Sequence, residues 1–296
     1  MILYNIEKYY LAVIMDEILQ INKTEISLGL KKEYKFFQIS DAHISYLDEN
    51  SSEVDINDAQ RSRSGWNKLK VEFATQFGEK CDSRYDKDPT ELFEIVAQHA
   101  VDIGADALIL SGDIMDRVTE SNLRYLEDYF SKYPLPIIYC PGNHDSIDEY
   151  GVHRQMYDRI GRIVKNPDFD SFDFGEFKIV TIDNGTKQIS SEQLEKFKKE
   201  LSGDKKILLV IHAPVRLGEF GEVMGKKISG YFLVGSEGDS ENAHEFVKLI
   251  EQNDDKLIAV LAGHIHTSVE YNLTNKLKQI TTSSALIGYG REIIIK

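Results

Sequence analysis

Six short, nearly continuous apolar runs punctuate the chain: Phe36 to Ile39, Ala107 to Leu110, Ile137 to Tyr139, Lys178 to Ile182, Ile207 to Ile211 and Ile258 to Leu261. Their length and β-branched content predict strands buried on both faces, since a half-exposed strand would alternate. Helix-like segments lie between them, notably Glu91 to Val101 and Glu192 to Leu201. The second is opened by Ser190 with Gln193 three residues on, a capping box. This alternation predicts a layered α/β domain. Before it, Ile6 to Leu19 is compatible with a helix and Thr24 to Leu30 alternates as a strand, so residues 1–33 read as an N-terminal elaboration packed on the main domain. No linker-like stretch divides residues 34–296. They read as one domain with two less regular insertions, about 45–89 and 216–242, as candidate rims of a site.

Composition narrows the class of partner. With 42% apolar and 28% charged residues, the 296-residue chain has the make-up of an ordinary globular protein. Its formal charge of −14 tells against nucleic acid, and the basic residues occur as pairs such as Lys198-Lys199 and Lys226-Lys227, which read as solvated charges. The apolar runs are too short to span a membrane, and Glu7, Lys8, Asp16 and Glu17 interrupt the N-terminal stretch as no signal peptide would be interrupted. Cys81 and Cys140 stand in unlike contexts, which predicts no disulfide and a cytoplasmic location.

The chemistry sits where the runs end. Phe36 to Ile39 leads into Asp41-Ala-His43, Ala107 to Leu110 into Gly112-Asp113-Ile-Met-Asp116-Arg117, and Ile137 to Tyr139 into Gly142-Asn143-His144-Asp145. Further on, Ile207 to Ile211 delivers His212 and Ile258 to Leu261 delivers Gly263-His264-Ile-His266. Five polar clusters thus follow five strands, at the sheet edge where α/β proteins bind ligands. They supply imidazole, carboxylate and amide but no thiolate, a donor set suited to manganese, iron or zinc. One ion could not readily use all these groups. Two ions sharing a carboxylate could, and such a pair suits displacement at phosphorus. Each of these histidines alone would read as an ordinary structural residue; the set does not. His99, His153 and His244 fall outside the clusters and keep that reading, as does Cys140 beside Pro141.

In order and in kind, these blocks resemble the calcineurin-like metallophosphoesterase superfamily over about Lys35 to Thr267. The resemblance implies a two-sheet β-sandwich flanked by helices, with one metal at Asp41, His43 and His266, the other at Asn143, His212 and His264, and Asp113 bridging. It further implies a water between the metals as nucleophile, His144 acting on the leaving oxygen, Asp116 orienting His144, and Arg117 holding a phosphate oxygen. Arg117 is followed by Val118 and Asn143 is preceded by Pro141-Gly142, where protein phosphatases carry glycine and arginine respectively, so a phosphoprotein phosphatase is disfavoured. The chain is most similar to small bacterial-type members that include cyclic-nucleotide phosphodiesterases. His212-Ala-Pro departs from the two histidines frequent there. The expected substrate is a small phosphodiester or cyclic nucleotide, with a phosphomonoester, DNA ends or a non-catalytic role as alternatives. Tyr231, Phe232 and Trp66 in the insertions read as packing anchors or as stacking surfaces for a base.

Overall fold

All six predicted apolar runs are strands in the computed structural model, which describes residues 18–81, 87–228 and 232–296. The predicted helix Ile6 to Leu19 lies, up to residue 17, outside the described residues, as does Tyr231. In chain order the elements are β1 (Gln20–Ile26), β2 (Tyr34–Ile39), α1 (Glu53–Phe77), α2 (Pro89–Asp102), β3 (Ala107–Ser111), α3 (Glu120–Lys132) and β4 (Ile137–Cys140). They continue with α4 (Tyr157–Ile160), β5 (Phe169–Asp173), β6 (Phe177–Ile182), α5 (Ser191–Leu201), β7 (Lys206–Val210), α6 (Gly218–Lys227) and α7 (Glu241–Gln252). The last are β8 (Leu257–Ala262), β9 (Val269–Asn272), β10 (Lys278–Thr281) and β11 (Tyr289–Ile295).

The strands form two sheets, in the orders β1-β11-β2-β3-β4 and β5-β6-β7-β8-β10-β9. Continuous apolar runs make sense in this setting, because both faces of each sheet are covered. In β2, Phe36 faces the layer between the sheets while Phe37 and Ile39 face outwards. In β3, Ala107 and Ile109 point inwards and Leu108 and Leu110 outwards. The inner layer meets Phe177, Ile179, Leu208, Val210 and Leu261 of the second sheet. The outer layers are closed by Phe93, Val96, Leu123 and Leu126 of α2 and α3 on one side and by Leu194, Phe197, Phe246 and Ile250 of α5 and α7 on the other. Each such side chain, buried to 9% exposure or less, contributes about 1.5–3 kcal/mol by leaving water.

What aims the site is the strand direction. β2, β3 and β4 run parallel, as do β6, β7, β8 and β10, so their carboxyl ends gather at common edges. Buried Gln38 ties the two edges together, donating to Ser111 Oγ (2.8 Å) and to the Ala262 carbonyl (3.1 Å) while its Oε1 accepts from Thr282 Oγ1 (2.8 Å).

Three features differ from the sequence reading. The N-terminal strand is Gln20–Ile26, displaced from Thr24 to Leu30, because it takes its register from parallel pairing with β11. β11 itself lies between β1 and β2 and was not foreseen. The two insertions, read as less regular, both hold helices: α6 in 216–242 and, in 45–89, the 25-residue α1, capped by Ser52 and Asp55 in a capping box. Its buried positions include Asp55, Asp58, Ser62 and Lys70, so no apolar stripe announces it.

Candidate metal centre

The turns after the strands carry unusual backbone. Asp41, His43, Asp113, His264 and His266 all have positive φ, between 46° and 69°, and among the described non-glycine residues only Lys187 shares the feature. A side chain in that region costs of order 1 kcal/mol or more, and such strain persists where the surroundings over-determine it. Hydrogen bonds do so here. Asp41 N donates to the Gly112 carbonyl (3.0 Å), His43 N to that of Asp113 (2.9 Å), and Ser284 Oγ to that of Asp41 (2.6 Å).

Two groups of donors result. Asp41, His43 and His266 converge, with His266 Nε2 3.3 Å from both His43 Nε2 and Asp41 Oδ1. Asp113, His212 and His264 converge beside Asn143: His212 Nε2 lies 3.2 Å from Asp113 Oδ2, 3.1 Å from Asn143 Oδ1 and 3.2 Å from His264 Nδ1. Asp113 Oδ2 also lies 4.0 Å from His43 Nε2, between the two groups, while its Oδ1 accepts from His144 N (2.7 Å). The geometry thus brings together all seven residues expected to hold metal.

These contacts fit cations. His212 Nδ1 faces the Ser111 carbonyl (2.9 Å) and donates to it, so Nε2 is the nitrogen turned towards the two oxygen acceptors, Asp113 Oδ2 and Asn143 Oδ1. Nitrogen and oxygen donors about 2.0–2.1 Å from a shared ion lie about 3.0–3.4 Å from one another, as here. The titration of the protein's own groups says the same. Burial opposes charge on His212, yet neighbouring Asp113 lifts its pKa to about 10, placing a proton where a cation would sit. Burial, then the His212 charge, presses His264 down to about 3. Burial likewise opposes charge on His144, but Asp113 and then Asp116 raise it to about 9, and divalent cations nearby would lower it again.

His144 belongs to a neighbouring group. Its Nδ1 lies 3.1 Å from Asp116 Oδ1 and 3.0 Å from the Asp116 carbonyl. Asp116 is almost enclosed: His43 Nδ1 lies 3.3 Å from Oδ1, Trp66 Nε1 donates to the same oxygen (2.7 Å), and Ser62 Oγ donates to Oδ2. The Trp66 ring lies over the imidazoles, 3.9 Å from the His43 centroid and 5.4 Å from that of His266, so it packs on candidate ligands. Arg117, expected at a phosphate oxygen, pairs with Asp58 of α1 (2.9 Å). Phe232 stands on the other side, 42% exposed and 5.6 Å from the His264 ring.

Sequence reasoning assigned no part to Ser62, Asp58, Asp145, Asn184 or Ser284. Asp145 accepts from Met115 N (3.0 Å) and Gly142 N (2.8 Å), and Asn184 Oδ1 accepts from both His212 N and Ala213 N (2.9 Å each). Only Asp145, inside the Gly-Asn-His-Asp block, had a signal that could have marked it. The glycines of the blocks serve close approach. A Cβ on Gly142 would overlap Asp113 Oδ1 and N, and one on Gly263 would overlap Ser40 Oγ and Asp41 Oδ2. Gly142→Ala is accordingly expected to cost about 1–3 kcal/mol of stability and at least tenfold in metal affinity, read by thermal melting and metal titration. An unchanged metal affinity would mean that the turn has room to yield.

A two-sheet α/β sandwich with clustered His and Asp groups that suggest a dinuclear metal site at its strand ends defines the class of metal-dependent phosphoric ester hydrolases. The family model for calcineurin-like phosphoesterases matches residues 34–268, and the chain belongs to that family. It is 23% identical over 257 residues to a protein named probable cyclic nucleotide phosphodiesterase from Fibrobacter succinogenes, covering 86% of this chain and 82% of that one. It is 27% identical over 194 residues to one named probable glycerophosphodiester phosphodiesterase from Arcobacter nitrofigilis, covering 60% and 63% respectively. A dimetal phosphatase structure from Danio rerio aligns over 86% of this chain and 88% of its own, at 11% identity and a TM-score of 0.47.

Proposed function

We propose that the protein hydrolyses a small phosphodiester or cyclic nucleotide, using one ion at Asp41, His43 and His266, a second at Asn143, His212 and His264, and Asp113 between them. The observation that carries this reading is the convergence of both groups on the two sides of Asp113 Oδ2. The names of the relatives favour a diester. Imidazole, carboxylate and amide donors suit manganese, iron or zinc. When bound, a metal pair supplies an activated water and stabilises charge on the phosphoryl oxygens.

The chain's own residues do the rest. Asp116 holds His144 by Nδ1, and Nε2, which has no partner among the described residues, is left for the leaving oxygen. The Ser62 and Trp66 donors keep Asp116 from turning away. The enclosed Cys140 thiol has its pKa pushed up by burial and takes no part. No helix among the described residues is long and apolar enough to cross a membrane, and a cytoplasmic setting accords with a chain that has only two cysteines.

The test is turnover by manganese-loaded protein of bis-p-nitrophenyl phosphate, p-nitrophenyl phosphate and 3′,5′-cyclic AMP. Faster hydrolysis of the diesters is expected. A clear preference for the monoester would make the protein a phosphatase of the same mechanism, and inertness towards all three with metal bound would overturn the present substrate class.

A further inference from the structure

Helix α1 is laid across the centre by polar contacts, and it leaves a gap. Ser62 and Trp66 hold Asp116, while Asp58, one helical turn earlier, accepts from Arg61 (2.8 Å) on Oδ1, and Arg117 is ion-paired with the same oxygen (2.9 Å). Between the helix and the Asp116–Arg117 turn remains a cleft of about 220 Å³, lined by Arg61, Gly65, Trp66, Leu69, Arg117 and His144 among others. That is below the roughly 300–1,000 Å³ of a whole small-molecule site, so it suits one substituent of a substrate. His144 borders both the donor groups and this cleft, its ring 4.5 Å from that of His43.

The lining is unbalanced in hydrogen bonding. Both Asp116 oxygens are already engaged, and Asp58 Oδ1 is shared by two guanidinium groups. Each guanidinium carries five N–H donors, of which Arg61 spends one on Asp58 and Arg117 spends one on the Glu149 carbonyl (3.3 Å) while its charge faces Asp58. Ser62 spends its hydroxyl hydrogen on Asp116. The wall therefore offers planar, charged donors and has few acceptors to spare. The chemistry that matches is a carboxylate or phosphate, which guanidinium groups bind in a forked geometry.

We infer that this cleft is a leaving-group subsite for an alcohol that carries its own anionic group, read by Arg61 and Arg117. The inference rests on the hydrolase reading above and deepens it. Arg117 then serves the anion of the departing alcohol and not the transferred phosphoryl group. A substrate of this class bears phosphate on one side and a carboxylate or second phosphate a few bonds away on the other.

Three aryl esters test it: 4-carboxyphenyl, 4-phosphonophenyl and 4-carbamoylphenyl phosphate, as monoesters or methyl diesters, whichever form is turned over. The carbamoyl probe has the shape of the carboxylate without its charge. The two anionic probes are expected to exceed it at least tenfold in kcat/KM, mainly through KM, and Arg61→Gln should erase that ratio. In parallel, calorimetry on metal-loaded and metal-free protein compares 4-hydroxybenzoate with 4-hydroxybenzamide, which reads the subsite without turnover. The acid is expected to bind at least tenfold tighter, with the difference lost in Arg61→Gln. Equal turnover of charged and neutral probes, or equal binding of acid and amide, would overturn the subsite and leave the hydrolase standing. Inertness of every ester with the binding preference intact would overturn the hydrolase reading and leave an anion site.

Discussion

Asp113→Asn is expected to reduce turnover by about 10³-fold and to lower the metal content below two ions per chain. The substitution keeps shape but removes the charge. In the parent, Asp113 Oδ2 lies between His212 Nε2 and His43 Nε2, and Oδ1 accepts from His144 N. An asparagine can still accept from His144 N, so the Gly142-Asn143-His144 turn should keep its course. What it cannot do is offset two cations held a few ångströms apart. The loss in affinity should therefore exceed the roughly 10–100-fold that follows loss of an outer hydrogen-bond partner of a ligand. Elemental analysis after gel filtration and titration against a competing chelator give the stoichiometry and the affinities. A variant that retains two tightly bound ions would remove Asp113 from the bridging position.

His144→Ala should leave the metal content intact and lower kcat by about 10²–10⁴-fold, with KM little changed. The side chain is a quarter exposed, at 25%, and its Nδ1 is committed to Asp116, so its removal opens no cavity in the core. The size of the loss should depend on the leaving group. A p-nitrophenolate departs without a proton and should feel the mutation least. The alkoxide released from a cyclic nucleotide needs one, and its turnover should fall furthest. Equal losses for both substrates would mean that His144 stabilises charge on the phosphoryl group, and loss of metal would mean that it acts as a ligand.

Much of the site could be read from the order of residues, and the reason is local. A strand buried on both faces is written as a short continuous apolar run, and a candidate ligand at its carboxyl end is written in the next few residues. Ile39, Asp41 and His43 illustrate it: two links of chain carry the donor from the core to the sheet edge. The same rule placed Asp113, Asn143, His212, His264 and His266. The helix Ser191–Leu201 was equally legible, since Ser190 and Gln193 state its start.

Other features were not legible. β11 was overlooked because Tyr289–Ile295 becomes a strand through its neighbours: it pairs with β1 on one side and β2 on the other, some 250 or more residues away in sequence. The helix α1 was missed because its buried face is polar, and Asp58, Ser62 and Trp66 find their partners in Arg117 and Asp116. Trp66, open in sequence between packing and base stacking, packs on the His43 and His266 rings. Ser284 likewise supports Asp41 across 243 residues.

Residue order alone therefore sets the fold class, the candidate donors and the strand that carries each, because apolar periodicity and strand-end placement are properties of short stretches of chain. The pairing of donors into two groups about Asp113, the enclosure of Asp116 by α1 and the cleft beside His144 arise from tertiary structure. A hydrogen bond or ion pair between distant residues leaves no period in the sequence, and its partners become known only when the chain has brought them within about 3 Å.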